Sequence, residues 1–203
     1  CTTAREAIKL MGELIKQYGY ADSGECLTIA DPQEVWHFEV FGEGPDQIGG
    51  DWAAVRIPDD ELGVSANIPR ISTLDLKNTD RYMASENVME VAKKMGFWDG
   101  KETFKFYKAY GGPNRQGKYK SFSVREFFIL SHLAPSLNLN MDGEELPFSV
   151  KPEKQLAAID VINFLKQTYE GTEFDNTKAL MVEQKDPKTG EVTRVKSPVA
   201  NPW

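Results

Sequence analysis

The stretch ECLTIADPQEVWHFEVF, residues 25–41, decides the fold, because it predicts two strands joined by a short turn. Residues 25–30 and 34–41 are β-prone runs, and Asp31-Pro32-Gln33 between them has the composition of a turn, so the stretch predicts a β-hairpin. The second run carries bulky side chains on both faces: Trp36, Phe38 and Val40 on one, and Val35, His37, Glu39 and Phe41 on the other. This pattern predicts a strand that is covered on both sides.

Strand and helix patterns continue on both sides of this hairpin. On its C-terminal side, residues 52–57 predict a third strand, and VSANIPRI, residues 64–71, predicts a fourth extended segment. On its N-terminal side, residues 3–18 have apolar side chains at helical spacing. Thr3 and Glu6 form the pattern of a capping box at the start of this helix, and the glycine that follows predicts its end.

Beyond residue 74 the chain is mainly helical and then forms a second hairpin. The predicted helices cover residues 85–95, 103–110, 123–133 and part of 152–169. Two β-prone runs, 182–185 and 191–195, flank the turn DPKTG, whose proline and final glycine are typical of a hairpin. The order of helix, strands, helices and hairpin predicts an α+β fold with a mostly antiparallel sheet flanked by helices.

The charge and the hydropathy pattern of the chain argue against nucleic-acid and membrane partners. The chain has 203 residues, enough for a substantial core, and a formal net charge of −7. This acidic balance, without any long run of lysine or arginine, argues against a nucleic-acid partner. No apolar stretch approaches the roughly 20 residues of a transmembrane helix, so we expect no membrane partner.

The cysteines and histidines form no metal-ligand motif. Cys1, Cys26, His37 and His132 lack the spacing of a metal site, and two cysteines cannot make a disulfide framework. We interpret Cys26 as a buried small residue of a strand and His37 as a packed side chain of the next strand. His132 lies near a predicted helix C-terminus, where the helix dipole would favour an imidazolium.

Two residues raise the question of catalysis, and their sequence context leaves each open. Cys1 is either an N-terminal nucleophile whose own α-amino group serves as base, or a residue that only precedes a helix. Asn67, at the end of the fourth extended segment, could donate to a developing oxyanion, an interaction typically worth about 3–4 kcal/mol. Spacing alone favours the other interpretation, in which Asn67 forms a turn or satisfies backbone groups before Pro69.

A resemblance covers essentially the whole chain. The runs that carry it are TAREAIKLMGELIKQYGY (3–20), GECLTIADPQEVWHFEVFGEGP (24–45), WAAVRIPDDELGVSANIPRI (52–71), YMASENV (82–88), APSL (134–137), LPFSVKPEKQLAAIDVINFLKQTYEGTEFDNTK (146–178) and SPVANPW (197–203). In this order they resemble the middle of bacterial cysteine dipeptidases of the N-terminal-nucleophile hydrolase superfamily, which are relatives of penicillin V acylase and bile salt hydrolase. The run over residues 160–178 is too long for a chance match.

The resemblance implies a fold, a mechanism and a substrate class. The implied fold is a four-layer αββα arrangement, with two antiparallel sheets between layers of helices. The implied nucleophile is a cysteine at the mature N-terminus, whose thiolate attacks a peptide carbonyl while the α-amino group takes and returns the proton. Water then hydrolyses the acyl-enzyme. The reaction needs no metal or other cofactor, and its substrates are dipeptides with a free N-terminus.

Two residues of the motif SAN-x-x-R-I, residues 65–71, receive roles from the resemblance. Asn67 matches the asparagine that the superfamily uses in its oxyanion hole, and is the candidate catalytic residue. Arg70 is the candidate for binding a substrate carboxylate, and an ion pair that anchors the end of the strand is the alternative. His37 and Glu39 face either the site or the helices, and the sequence does not decide between these two orientations.

The beginning of the chain does not fit an N-terminal nucleophile. In the family the catalytic cysteine begins a core strand, whereas Cys1 leads into a capping box and a helix that aligns well inside the family's chain. We therefore expect residues 1–203 to be an internal part of a single dipeptidase domain, incomplete as a fold and inactive by itself. Within it, residues 1–74 form a helix and sheet strands, residues 75–180 are mainly helical, and residues 181–203 form a hairpin and tail.

Two alternative functions stay open at this point. One is a shortened enzyme that uses Cys1, and the other is a non-catalytic module that binds peptides or proteins. Because a cut sheet exposes strand edges and apolar faces, we expect the chain to form homo-oligomers or to associate with the missing segments.

Overall fold

The computed structural model describes residues 1–44, 47–112, 120–175 and 181–196. In chain order the elements are α1 (Ala4–Tyr18), β1 (Glu25–Ala30), β2 (Val35–Gly42), β3 (Gly50–Ile57), β4 (Leu62–Gly63), β5 (Tyr82–Ala84), α2 (Val88–Lys94), α3 (Phe106–Tyr110), α4 (Val124–Leu133), a 3₁₀ turn (Pro135–Leu137), β6 (Ser149–Val150), α5 (Ala158–Lys166), β7 (Met181–Lys185) and β8 (Val192–Lys196). The chain divides into two compact units, Cys1–Lys154 and Gln155–Trp203.

The predicted hairpin forms half of a four-stranded antiparallel sheet with the strand order β1-β2-β3-β5. Strands β1 and β2 pair in a register that places Cys26 opposite Glu39. The Asp31 side chain closes the turn, since its carboxylate accepts hydrogen bonds from the amides of Gln33 at 2.7 Å and Glu34 at 2.8 Å. The hairpin that the sequence predicts is therefore confirmed.

Helix α1 begins and ends where the sequence predicts. The Thr3 hydroxyl accepts a hydrogen bond from the Glu6 amide, and the Glu6 carboxylate accepts one from the Thr3 amide, which completes the capping box. Gly19 ends the helix with a φ of 80°, a conformation that favours glycine. The Asp31 carboxylate also accepts from the Ala4 amide at 2.7 Å, so the hairpin turn anchors the start of α1.

Both faces of the sheet are covered, as the bulky side chains of β2 predict. Helix α1 packs against one face in a buried cluster of Ala4, Ile8, Trp36, Phe38, Val40, Trp52 and Ala54. Helices α2 and α3 contribute to a second cluster, which contains Phe41, Ala53, Val55, Ile71, Val88, Ala92, Phe104, Phe106, Ala109 and Tyr110. Trp36 and Phe38 are completely buried, and truncating such an aromatic residue to alanine typically costs about 3–5 kcal/mol.

Residues 64–71 do not form a regular strand. Pro69 has no amide hydrogen to give to a neighbouring strand. The amides of Ala66, Arg70 and Ile71 donate to side-chain carboxylates rather than to backbone carbonyls. The backbone of this segment is thus held by side chains from elsewhere in the fold, and a pattern of local residues cannot reveal such partners.

The middle of the chain has the predicted helices with altered beginnings. Helix α2 begins after Asn87 and not at Ser85, whose hydroxyl donates to the Asp51 carboxylate at 3.1 Å instead of capping the helix. Helix α3 begins only at Phe106. Helix α4 occupies its predicted position and has Ser123 as its N-cap.

The second unit contains α5 and the hairpin of β7 and β8. In the hairpin turn, Asp186 accepts hydrogen bonds from the amides of Lys188 at 2.6 Å and Thr189 at 3.2 Å. Strands β7 and β8 pair antiparallel, so the second predicted hairpin is also confirmed. The predicted tail at residues 197–203 lies outside the described residues.

The fold class follows from these elements. The described strand pairs are all antiparallel, and helices pack on the main sheet. The predicted α+β class with antiparallel sheets and flanking helices is therefore confirmed. Among the described residues, no helix combines the length and the apolar character needed to cross a membrane.

Candidate active site

Two buried carboxylates hold the backbone around Asn67. We call residues 66–71 the Asn67 segment. At its C-terminal end, Glu39 of β2 accepts hydrogen bonds from the amides of Arg70 and Ile71. At its N-terminal end, Glu126 of α4 accepts from the Ala66 amide at 2.6 Å. Both carboxylates belong to residues with no exposed surface, so these charge-assisted bonds are shielded from water.

Glu126 is also the helix-capping residue of α4. Its carboxylate accepts hydrogen bonds from both the amide and the hydroxyl of Ser123, the former at 2.7 Å. The arrangement is a capping box, in which the N-cap residue and the third helical residue satisfy each other's backbone groups. Because one oxygen serves the cap and the other serves Ala66, Glu126 joins the start of α4 to the Asn67 segment.

The side chain of Asn67 is exposed and is oriented by Arg125. The bend at Asn67 leaves its side chain at the surface, where its Oδ1 accepts a hydrogen bond from Arg125 Nη1 at 2.9 Å. An asparagine amide has one acceptor oxygen and two donor hydrogens. Since Arg125 engages the oxygen, the Nδ2 group is the part of the Asn67 side chain that can donate to a ligand.

Arg70 is buried, with only 2% of its surface exposed. Its guanidinium donates to the backbone carbonyls of Ser121 at 2.8 Å and Pro147 at 2.6 Å. Burial lowers the pKa of Arg70, while the nearby carboxylates of Glu126 and Glu39 oppose that shift. The side chain therefore connects the Asn67 segment to two loops.

His37 and Glu39 lie on the face of β2 away from α1. Their position alternates with that of the side chains buried under α1, and the Glu39 carboxylate reaches the Asn67 segment directly. His37 Nε2 lies 2.7 Å from Glu39 Oε1, and the imidazole packs edge-on against Phe148 with ring centroids 5.4 Å apart. Glu39 therefore faces the Asn67 segment, and His37 lies beside it on the sheet face that also packs against α2 and α3.

The remaining candidate residues are Cys1, Cys26 and His132, which lie outside the Asn67 segment. Cys1 is exposed and precedes α1. Cys26 lies on β1 as predicted, but it is only half-buried and not the buried residue that the sequence predicts. His132 is exposed in the last turn of α4, where its Nδ1 lies 2.7 Å from the Phe128 carbonyl oxygen.

Arg125 and Glu126 are the residues that reasoning from the sequence misses. The pattern Ser-x-x-Glu at residues 123–126 is the signature of a capping box, so it could have identified Glu126 as a helix-start residue. It could not have revealed the bond to Ala66, since the two residues are 60 positions apart. For Arg125, 58 positions from Asn67, the sequence contains no such signal.

Comparison with known proteins first gives the class of protein, because two of the matching relatives are named probable dipeptidases. A family model for Peptidase family C69 then matches residues 1–197. The chain therefore belongs to peptidase family C69, and its resemblance to the cysteine dipeptidase family is confirmed.

Individual relatives agree with this assignment. A probable dipeptidase of Latilactobacillus sakei is 31% identical over 173 residues, which are 85% of this chain and 35% of that protein. A probable dipeptidase of Salmonella dublin is 32% identical over 176 residues, 85% of this chain and 39% of that protein. A probable dipeptidase B of Streptococcus pyogenes serotype M1 is 25% identical over 206 residues, which are 98% of this chain and 39% of that protein. The chain thus spans a little over a third of the length of these relatives.

Proposed function

We propose that this chain is part of a cysteine dipeptidase, in which Asn67 stabilises the oxyanion that forms when a thiolate attacks the substrate carbonyl. Membership of peptidase family C69 and the names of the relatives support the reaction class and the dipeptide substrate. The observation that carries the role of Asn67 is its bond to Arg125, which occupies the amide oxygen and leaves the amide nitrogen to donate.

The framework around Asn67 suits such a role. An oxyanion donor accelerates a reaction when it is fixed before charge develops, because no reorganisation is then needed during the reaction. The Glu126 and Glu39 carboxylates fix the backbone on both sides of Asn67, and Arg125 fixes its amide. One donor of this kind typically contributes about 2.7–4 kcal/mol to transition-state stabilisation.

In this proposal the attacking thiolate comes from a part of the parent protein outside this chain. Cys1 is followed by the capping box of α1 and not by a core strand, which is where the family's nucleophile is expected. Attack forms a bond from sulfur to the carbonyl carbon, and the amine of the second residue leaves with a proton from the nucleophile's α-amino group. Water then releases the first residue as a free acid and regenerates the thiol.

We assign Arg70 a positioning role in this site. The carbonyls that its guanidinium contacts, those of Ser121, Pro147 and Phe148, belong to loops of the same unit, and this supports anchoring over direct binding of a substrate carboxylate. We further propose that the main sheet and α1 form one sheet layer and one helix layer of an αββα arrangement. The α1 cluster on one face of the sheet supports that assignment.

The role of Asn67 can be tested in the complete parent enzyme. Asn67→Ala is expected to lower kcat by about 100- to 1,000-fold with little change in KM, since an oxyanion donor acts in the transition state. The measurement is the initial rate of hydrolysis over a panel of dipeptides. Asn87→Ala is the matched control, because Asn87 is also exposed and its side chain makes no capping hydrogen bond. Equal rates for the two variants would contradict the proposal.

The position of the nucleophile is tested with the chain alone. We expect no hydrolysis of dipeptides by residues 1–203, and no effect of a Cys1→Ser substitution on that result. Hydrolysis by the chain that disappears in Cys1→Ser would show that Cys1 is the nucleophile. Peptide binding by the complete parent without any turnover would instead favour the non-catalytic binding module.

We also propose that the chain associates with further copies or with other segments of its parent. Helix α5 supports this, because several of its apolar side chains are exposed: Ile159, Val161, Ile162 and Leu165. Exposed apolar patches of this kind commonly mark contact surfaces. Light scattering at high concentration is expected to give a mass above that of one chain, and a uniform monomer would argue against association.

A further inference from the structure

Three metal-ligating side chains meet on the sheet face opposite α1. The register of the hairpin places Cys26 of β1 directly across from Glu39 of β2, and His37 is two residues from Glu39 on the same face. The thiol sulfur, an imidazole nitrogen and a carboxylate oxygen of the three residues all lie within 4.8 Å of one another. Positions 26, 37 and 39 match no ligand motif in the sequence, because strand pairing creates the cluster.

The donor set has the chemistry of a zinc site. Thiolate, imidazole and carboxylate are the three ligand types that Zn²⁺ takes in proteins, and three protein ligands with one open position are typical of sites that keep a bound water. In a tetrahedral site with ordinary bond lengths, the donor atoms lie about 3.4–3.6 Å from one another. His37 Nε2 and Glu39 Oε1 are now 2.7 Å apart, so small side-chain rotations would bring the three donors to these separations.

Neighbouring contacts restrain the Glu39 and His37 side chains near this geometry. The amides of Arg70 and Ile71 donate to Glu39 Oε1, and the Ile71 amide also approaches Oε2 at 3.3 Å. A carboxylate has about four acceptor positions, so Glu39 keeps capacity for a cation. The ring contact with Phe148 restrains the His37 imidazole. Such surrounding contacts orient ligands and strengthen metal binding.

Charge also favours a divalent cation here. Glu39 has no exposed surface, so water screens its carboxylate poorly and a bound cation would interact strongly with it. A divalent cation would bind the thiolate, the neutral imidazole and the carboxylate, and would release the thiol proton to solvent. The imidazole proton would move to the ring nitrogen that does not bind the cation. The ligand set and the cation would then sum to zero charge, with the buried Arg70 guanidinium as a further charged group that interacts with Glu39.

The cluster has a route to solvent. Strand β1 is the terminal strand in the order of the main sheet, and Cys26 on it is half-buried. His37 retains 7% of its surface. A hydrated cation could therefore reach the sulfur first and lose its waters as the imidazole and the carboxylate bind.

We propose that Cys26, His37 and Glu39 form a binding site for one thiophilic divalent cation, with Zn²⁺ as the best match and a water molecule as the fourth ligand. The site shares Glu39 with the framework of the Asn67 segment. Its occupancy does not depend on the proposed role of Asn67 and can be measured without any activity assay.

The test is a titration of the metal-free chain with Co²⁺, which reports a sulfur ligand through a charge-transfer band in the near ultraviolet. We expect one Co²⁺ per chain, displacement by Zn²⁺, and tighter binding as pH rises because a proton is released. Cys26→Ser should abolish the band, and His37→Gln should weaken binding by more than about tenfold. The chain supplies matched controls, since Cys1→Ser and His132→Gln remove the other cysteine and the other histidine and should change neither result.

A second measurement uses the unmodified chain, so its result does not depend on whether the variants fold. In the unmodified chain, Zn²⁺ should slow alkylation of Cys26 while Cys1 reacts at its usual rate, as mass spectrometry of the labelled peptides would report. Equal labelling of Cys26 with and without Zn²⁺ would overturn the proposal. So would a cobalt band that survives in Cys26→Ser or disappears in Cys1→Ser, since that result would place the metal at the N-terminus.

Discussion

The two capping boxes of this protein allow a quantitative test of what tertiary contacts add to a local motif. Glu6 in α1 and Glu126 in α4 are both the third residue of a helix and both bond back to the N-cap. Glu6 lies at the surface, whereas Glu126 is fully buried and also accepts from the Ala66 amide. The substitution to test is Glu126→Gln, with Glu6→Gln as the matched control.

The expected magnitude follows from the hydrogen bonds of Glu126. Glutamine offers one acceptor oxygen in place of two, so the variant can serve either Ala66 or Ser123 but not both. A hydrogen bond to a charged group contributes about 1.5–3 kcal/mol, and a buried donor left without a partner costs about 1–3 kcal/mol. We therefore expect Glu126→Gln to lower the free energy of unfolding by about 2–4 kcal/mol. Glu6 is exposed, so water can replace the hydrogen bonds that its carboxylate makes. Glu6→Gln should therefore lower the free energy of unfolding much less.

The assay is urea-induced unfolding followed by tryptophan fluorescence, because Trp36, Trp52 and Trp98 lie in the same unit as both capping boxes. Hydrogen exchange of the Ala66 amide gives a second readout, and it should become faster in Glu126→Gln than in Glu6→Gln. Equal losses of stability in the two variants, with unchanged exchange at Ala66, would refute the conclusion that Glu126 holds the Asn67 segment.

Three further predictions concern packing, pH and the site. A Cβ added at Gly12 would lie 2.7 Å from the ring of Trp52, so Gly12→Ala should lower the free energy of unfolding by about 1–3 kcal/mol, measured in urea against the roomier Gly143→Ala. Burial raises the pKa of Asp51 to about 6, so the folded state holds a proton more tightly than the unfolded chain and loses stability as pH rises from about 4 to about 6. Asp51→Asn should remove this loss, up to about 3 kcal/mol, in unfolding curves measured across that range. In the parent enzyme, Arg125→Ala should reduce kcat by at least about tenfold through loss of the amide orientation, with partial recovery in Arg125→Lys on the same dipeptide panel.

Much of the fold could be predicted because its signals are local. The capping box at Thr3 and Glu6 and the glycine after Tyr18 fix α1 within a single run of residues. The turn at Asp31 is built by its own side chain and the next amides along the chain. These contacts join residues only a few positions apart, so a single sequence contains all the information that they need.

The geometry of the candidate site could not be predicted in the same way. Only a resemblance makes Asn67 a candidate, and its partner Arg125 lies 58 residues further along the chain. Ser85 looks like a helix cap, yet it bonds to Asp51 of a neighbouring strand. In each case a distant polar group competes successfully with the local partner that the sequence suggests.

The sequence by itself determined the α+β class, both hairpins, the first helix and the relationship to peptidase family C69. Only the tertiary structure decided which carboxylates are buried, that Glu39 and Glu126 hold the Asn67 segment, and that Cys26 joins His37 in one cluster. The physical reason is that helix and turn formation depend on neighbours along the chain, whereas burial and convergent hydrogen bonding depend on which distant residues the packed sheet brings within a few ångströms.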